Sequence, residues 1–209
     1  MSKKLIILTG PQGSGNHLWS KIFALHPEVF GWRDLLKEYW IPHAEEPFAK
    51  YWQDPKLLKD FNWKQSNYFV TSISCPFVYN KAIHIPNYKD FYFYANKYAD
   101  IKYCIISRDI NILKLQQKRV RNTVTVDNFS LKIVDDKDHI FLSTECLYQY
   151  NKDYLKTLSN QLSFPIDFAS DKINNILIKN PNKKYIKQAK PTKLDEYVKK
   201  VSNKSENQP

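Results

Sequence analysis

The chain carries four short apolar runs, each closed by a polar or glycine-rich break. Lys4 to Thr9 is continuously apolar rather than alternating, as expected for a strand buried on both faces of a parallel sheet. Tyr68 to Ile73 reads as a second strand, Ile101 to Ser107 as a third, buried one, and His139 to Ser143 as a fourth. Between them the apolar spacing predicts helices over His17 to Leu25, Tyr88 to Tyr98, Asp109 to Arg119 and Leu147 to Leu162. The first helix is expected to turn Leu18, Ile22 and Phe23 (or Leu25) inward. His26-Pro27 ends it, because proline restricts the residue before it and cannot continue a helix. The aromatic stretch from Val29 to Trp63 predicts only short helices at Arg33–Tyr39 and Pro55–Phe61. Ala82 to Ile85 reads as a short extended piece stopped by Pro86, and Val134 to Asp138 as a turn region. Strands alternating with helices predict an α/β fold of three layers, a central parallel sheet flanked by helices.

One break stands apart. Gly10-Pro11-Gln12-Gly13-Ser14-Gly15-Asn16 follows the first strand directly and holds three of the four glycines in the protein. A glycine-rich turn between a buried strand and a helix gathers backbone N–H groups and the positive helix end at one point. That geometry holds phosphate or sulfate and is the hallmark of a P-loop NTPase-like fold. Gly10 and Gly15 have the spacing of G-x-x-x-x-G-K-[ST], but Asn16 and His17 stand where the lysine and the magnesium-binding hydroxyl belong. Ordinary ATP or GTP hydrolysis is therefore not expected, whereas phosphate binding by backbone amides is. The plainer alternative is a turn that only links strand to helix.

Composition narrows the setting. At 209 residues, with 43% hydrophobic and 25% charged residues, the chain suits one globular domain, expected over residues 1–180. No apolar run approaches the ~20 residues of a membrane span. Cys75, Cys104 and Cys146 show neither metal-ligand nor redox spacing and suit a reducing, cytoplasmic compartment; Cys104 reads as a small core residue. The five histidines are not paired, so no metal is expected. The net charge is +11, but nine lysines against three acids fall between Lys179 and Pro209. Residues 181–209 thus read as a basic, partly disordered tail, and nucleic acid is not the expected partner.

With these features in place, the sequence resembles the sulfotransferase family. Its members place a loop of the form P-x-S-G-T-T-x-L or K-G-G-T-x-x-L after the first strand, with a helix and an H-P pair following. Here Pro11-Gln12-Gly13-Ser14-Gly15-Asn16-His17-Leu18 leads through Lys21-Ile22-Phe23 to His26-Pro27. A second family motif, R-[DN]-P at the end of a buried strand, is matched by Arg108-Asp109 after Ile101 to Ser107. Phe141 to Leu147 resembles the later Y-E-D-L segment, and Leu162-Ser163-Phe164-Pro165 its continuation. The resemblance spans Lys4 to Pro165. It implies 3′-phosphoadenosine 5′-phosphosulfate (PAPS) as donor, held by Gln12, Gly13, Ser14, Gly15, Asn16, His17, Arg108 and Gln116. It also implies a hydroxyl or amine acceptor on a small molecule or saccharide.

Three positions depart from the family pattern. The loop lysine that steadies the sulfuryl group falls on Gly13, Ile110 replaces the proline, and Gln116 replaces the serine eight residues after the arginine. An amide can still donate to a phosphate. A missing lysine removes charge from the place where charge develops in the transition state. For the base that takes the acceptor proton, His84-Ile85-Pro86 resembles the family's H-L-P, which makes His84 the catalytic candidate. Heparan-type members use a glutamate after the H-P pair, and Asp34 and Glu38 lie in that region. Three alternatives remain: a loop histidine without a chemical role at position 84, a surface ion pair at Arg108, and aromatic residues 30–63 as core rather than acceptor cleft. The competing functional readings are a nucleotide or nucleoside kinase and a sulfotransferase-like binding protein that has lost the transfer step.

Overall fold

The computed structural model describes residues 2–38, 40–129 and 138–186. Five strands form one sheet: β1 (Lys4–Pro11), β2 (Val29–Phe30), β3 (Tyr68–Cys75), β6 (Asp100–Ser107) and β7 (His139–Ser143). Their order is β2-β3-β1-β6-β7, with every neighbouring pair parallel. A separate antiparallel hairpin joins β4 (Phe77–Tyr79) to β5 (Ala82–His84). Asn80 and Lys81, both at positive φ, make its two-residue turn.

The period-two alternation of the buried strands divides the interior into two cores. Ile6 and Leu8 of β1, with Cys104 and Ile106 of β6, face one layer. That layer holds α1 (Asn16–Ala24), α5 (Thr144–Leu162) and α6 (Asp171–Leu177). Leu5, Ile7, Tyr103 and Ile105 face the other, built from α2 (Ala49–Gln53), two 3₁₀ segments (Pro55–Asp60 and Trp63–Gln65) and α3 (Tyr88–Ala95). The aromatic stretch resolves largely into this second core. Trp52 stacks on Phe91 with centroids 3.7 Å apart, and Phe61 packs edge-on against Trp63 at 4.8 Å.

Four expectations change. Trp19, not Leu18, is the buried partner of Ile22 and Phe23 on α1; Leu18 is only half-buried. The short helices at Arg33–Tyr39 and Pro55–Phe61 are 3₁₀ turns over Arg33–Leu36 and Pro55–Asp60, and Tyr39 lies outside the described residues. The long helix begins one turn early, at Thr144, since Ser143 caps it by accepting from Cys146 N–H at 3.1 Å. Residues 181–186, read as the start of the tail, lie against the domain, with Asn182 and Tyr185 buried beside α4 (Ile110–Arg121). The turn expected at Val134 to Asp138 falls outside the described residues except for Asp138, and so does the tail from 187 onward.

This topology changes direction once, between β1 and β6. The chain leaves β1 through α1 towards β2 and β3 on one side, and leaves β6 through α4 towards β7 on the other. β1 and β6 are adjacent, so a crevice opens between their carboxyl ends, where open α/β sheets take ligands. The glycine loop lies at one lip and Arg108 at the other.

Candidate functional site

The loop is shaped by close approach. A Cβ on Gly10 would stand 2.8 Å from Ser14 Oγ and 2.9 Å from the carbonyl oxygen of Ile106, so only glycine lets β1 pass β6 here. Gly13 sits at φ +84°, a conformation that costs other residues energy, and packs beneath Gln116 and Leu113 of α4. Ser14 N–H closes the turn on Pro11 O at 3.1 Å, and Thr144 Oγ1 donates to Ser14 O at 3.3 Å. The fully buried Gln117 ties Gln12 O to Thr125 N–H. The loop is thus braced from α4 and from the first residue of α5.

The helix after this loop is left open. Gly15 gives α1 no side-chain cap, and no acidic residue occupies its first turn. Its leading N–H groups and positive end therefore face the crevice uncompensated. By contrast, Asp109 caps α4 with two bonds of 2.9 Å.

Arg108 joins the two lips. Its Nη1 donates to Gly13 O at 2.7 Å and to Gln116 Oε1, and its Nε donates to Asn182 Oδ1 at 2.9 Å. All three acceptors are neutral. Its Nη2 is buried and meets no hydrogen-bond partner among the described residues, nor does Ser14 Oγ or Asn16 Oδ1 nearby. Burial draws the guanidinium down from its ordinary value, opposed by Tyr185, Glu145, Tyr148 and Asp109.

His17 continues the loop outward. Its Nε2 bonds the carbonyl of Ile41 at 2.9 Å, and its ring lies 4.9 Å from Trp32 and 6.3 Å from the exposed Trp40. Burial lowers its basicity, helped by the positive charges of Lys21 and Arg121. Arg121, at the end of α4, is a cation near this site that the sequence did not single out. Lys21 reaches away, donating to Glu38 O at 2.7 Å.

The structure therefore bonds Gly13, Arg108 and Gln116 to one another, while Gln12 is held separately by Gln117 and Ser14 by Pro11 and Thr144, with Gly15, Asn16 and His17 continuing into α1. His84 is not part of it. Its Nε2 lies 3.3 Å from Tyr79 O within the hairpin, and it reaches the site only through a row of rings: Phe77 at 5.4 Å, then His43, Trp32 and His17. Asp34 and Glu38 are exposed.

Glu46, not singled out from the sequence, is buried at the same end of the sheet. Its Oε1 accepts from Ser72 N–H at 3.2 Å and its Oε2 from Phe48 N–H at 2.8 Å. Burial pushes its carboxyl up to about 8. His43, three residues earlier, is driven by burial, and then by His17, down to about 4, with the Ser72 backbone opposing the shift.

A cleft of about 620 Å³ lies at the opposite end of the sheet, lined by Pro27, Val29, Arg33 and Ser66. It lies away from all of these groups, and Arg33 there is spent on the carbonyls of His26 and Pro27. Among the described residues no group of three or more His, Cys, Asp or Glu could hold a metal, and no helix is long and apolar enough to cross a membrane.

The protein is α/β, with a five-stranded parallel sheet whose glycine-rich loop and Arg108 meet at the junction of β1 and β6. No protein-family model matches the chain, and comparison with curated proteins gives no match.

Proposed function

We propose that this junction binds a phosphorylated nucleotide and that the protein is a sulfotransferase taking a sulfuryl group from PAPS to a hydroxyl or amine. The observation that carries the reading is Arg108. A half-buried guanidinium held at the loop by neutral oxygens alone, with one buried nitrogen unpartnered among the described residues, keeps its full charge for an anion. The uncapped start of α1 would take the 5′-phosphosulfate, and Arg108 with Gln116 the 3′-phosphate. The acceptor would enter on the side of His17, Trp40 and the hairpin. His84 is the candidate there for the acceptor's proton.

Gly13 favours a second reading, donor binding without transfer. No side chain there supplies the cation that the resemblance calls for, and Arg121 is the nearby replacement. Thermal unfolding with adenosine 3′,5′-bisphosphate, compared with ATP and magnesium, separates the readings. A ligand at about 100 times its Kd adds about 2.7 kcal/mol of stability. Stabilisation by the bisphosphate alone supports the sulfotransferase site, and stabilisation by ATP and magnesium alone moves the assignment to a kinase. Turnover of PAPS with an acceptor excludes the non-catalytic reading.

A further inference from the structure

Asn182 stands between two opposite charges. Its Oδ1 accepts from Arg108 Nε at 2.9 Å, and its Nδ2 donates to Glu145 Oε1 at 3.1 Å. The residue is 4% exposed, and its own N–H is held by Asn180 Oδ1 at 2.9 Å. Just beyond it, in α7 (Lys183–Ile186), the Tyr185 ring lies 5.8 Å from the Arg108 guanidinium and 5.4 Å from that of Arg119. Arg119 Nε also donates to the Tyr185 hydroxyl at 3.1 Å. The amide is thus fixed in place by the turn before it and the aromatic anchor after it.

An arginine and a carboxylate at such close quarters ordinarily pair directly, through two parallel hydrogen bonds. Here they do not. Glu145 Oε1 accepts instead from Asp109 N–H at 3.0 Å and from the Asn182 amide, and that amide presents its oxygen to the arginine. We propose that Asn182 is a positioning residue that insulates Arg108 from Glu145, keeping the guanidinium charge available to the bound anion. The inference rests on the reading of Arg108 as an anion-binding group. Asparagine suits the task because one short side chain offers an acceptor to the cation and a donor to the anion while carrying no charge. Aspartate would neutralise Arg108 itself. Alanine would open a gap across which Arg108 and Glu145 could meet.

The test is a four-protein cycle on the full chain: the native protein, N182A, E145Q and N182A/E145Q, each titrated calorimetrically with adenosine 3′,5′-bisphosphate. Arg108→Ala serves as the reference for the underlying reading. Asn182→Ala is expected to weaken binding by about tenfold or more in the native background, the scale of one charge-assisted hydrogen bond. In the E145Q background the same substitution should cost far less, because a neutral amide cannot capture the guanidinium. Unchanged affinity in N182A overturns the insulating role. An equal loss in both backgrounds overturns it too, since that is what local unfolding of residues 180–186 would produce. If the native protein does not bind the bisphosphate, or Arg108→Ala binds as the native protein does, the anion-binding reading falls and the inference falls with it.

Discussion

Gln117, fully buried on α4, donates from Nε2 to the carbonyl of Gln12 at 2.6 Å and accepts Thr125 N–H at 2.7 Å. One side chain thus ties the glycine loop to the segment that leaves α4. Gln117→Ala leaves both backbone groups buried without a partner. We expect a loss of about 2–4 kcal/mol in denaturant unfolding, with anion binding weakened as the loop loosens. A variant as stable as the native protein would show that the brace is dispensable.

Arg108 is the strongest single test of the site. Hydrogen bonds to charged groups contribute about 1.5–3 kcal/mol, so Arg108→Ala should weaken adenosine 3′,5′-bisphosphate binding by about 10- to 100-fold. Arg108→Lys should recover part of the loss, because a point charge cannot reproduce the guanidinium fork. Calorimetric titration measures both.

At Gly10 the prediction is steric. A methyl group would collide with the Ile106 carbonyl, which belongs to the sheet and cannot turn aside. Gly10→Ala should cost about 1–3 kcal/mol in chemical unfolding through forced backbone shifts. It should also widen the crevice between β1 and β6, visible as reduced affinity for the bisphosphate.

Glu46 and His43 make stability depend on pH in opposite directions. The Glu46 carboxyl moves from 4.5 to about 8 on folding, so its contribution is full below pH 4.5 and is lost as pH rises through about 8. His43 moves from 6.5 to about 4, so its contribution is present above pH 6.5 and is lost as pH falls through about 4. Glu46→Gln should flatten the alkaline fall in Tm without touching the acid limb. Replacement of His43 by phenylalanine should flatten the acid limb instead. An alkaline limb unaltered by Glu46→Gln would mean that the carboxyl is not held neutral.

For the acceptor's proton, His84→Ala is the test in a PAPS assay. A lowered kcat with bisphosphate affinity intact identifies His84 as the base. Loss of affinity would point to a disturbed site instead.

Much of this architecture was legible in the sequence. β1, β3 and β6 are largely buried on both faces, so apolar residues predominate in them, and the glycine concentration after β1 marks a backbone forced close to another strand. Short 3₁₀ turns and the two-residue β2 leave no such trace, because their order comes from aromatic packing rather than periodicity. The site was half legible. Gln116 lies two helical turns from Arg108 and could be found by counting. Asn182 is 74 positions from Arg108, and Glu46 meets β3 26 positions away, so neither relation has a sequence spacing to read. Both also sit in stretches whose local composition pointed elsewhere, Asn182 among lysines and Glu46 in an aromatic loop.

The grip of Glu46 on β3 bears on self-association as well as on stability. β2 shields β3 only at Tyr68 and Phe69, and beyond them the strand has no neighbour on that side in the sheet. An exposed strand edge invites strand addition from another molecule. A side chain closes this one, by taking the Ser72 N–H that an incoming strand would need. The segment around His43 to Phe48 is thus a stopper as well as a wall of the site. Any change that lifts it, whether a substitution or the binding of a bulky acceptor, trades access to the crevice against the risk of chains joining edge to edge.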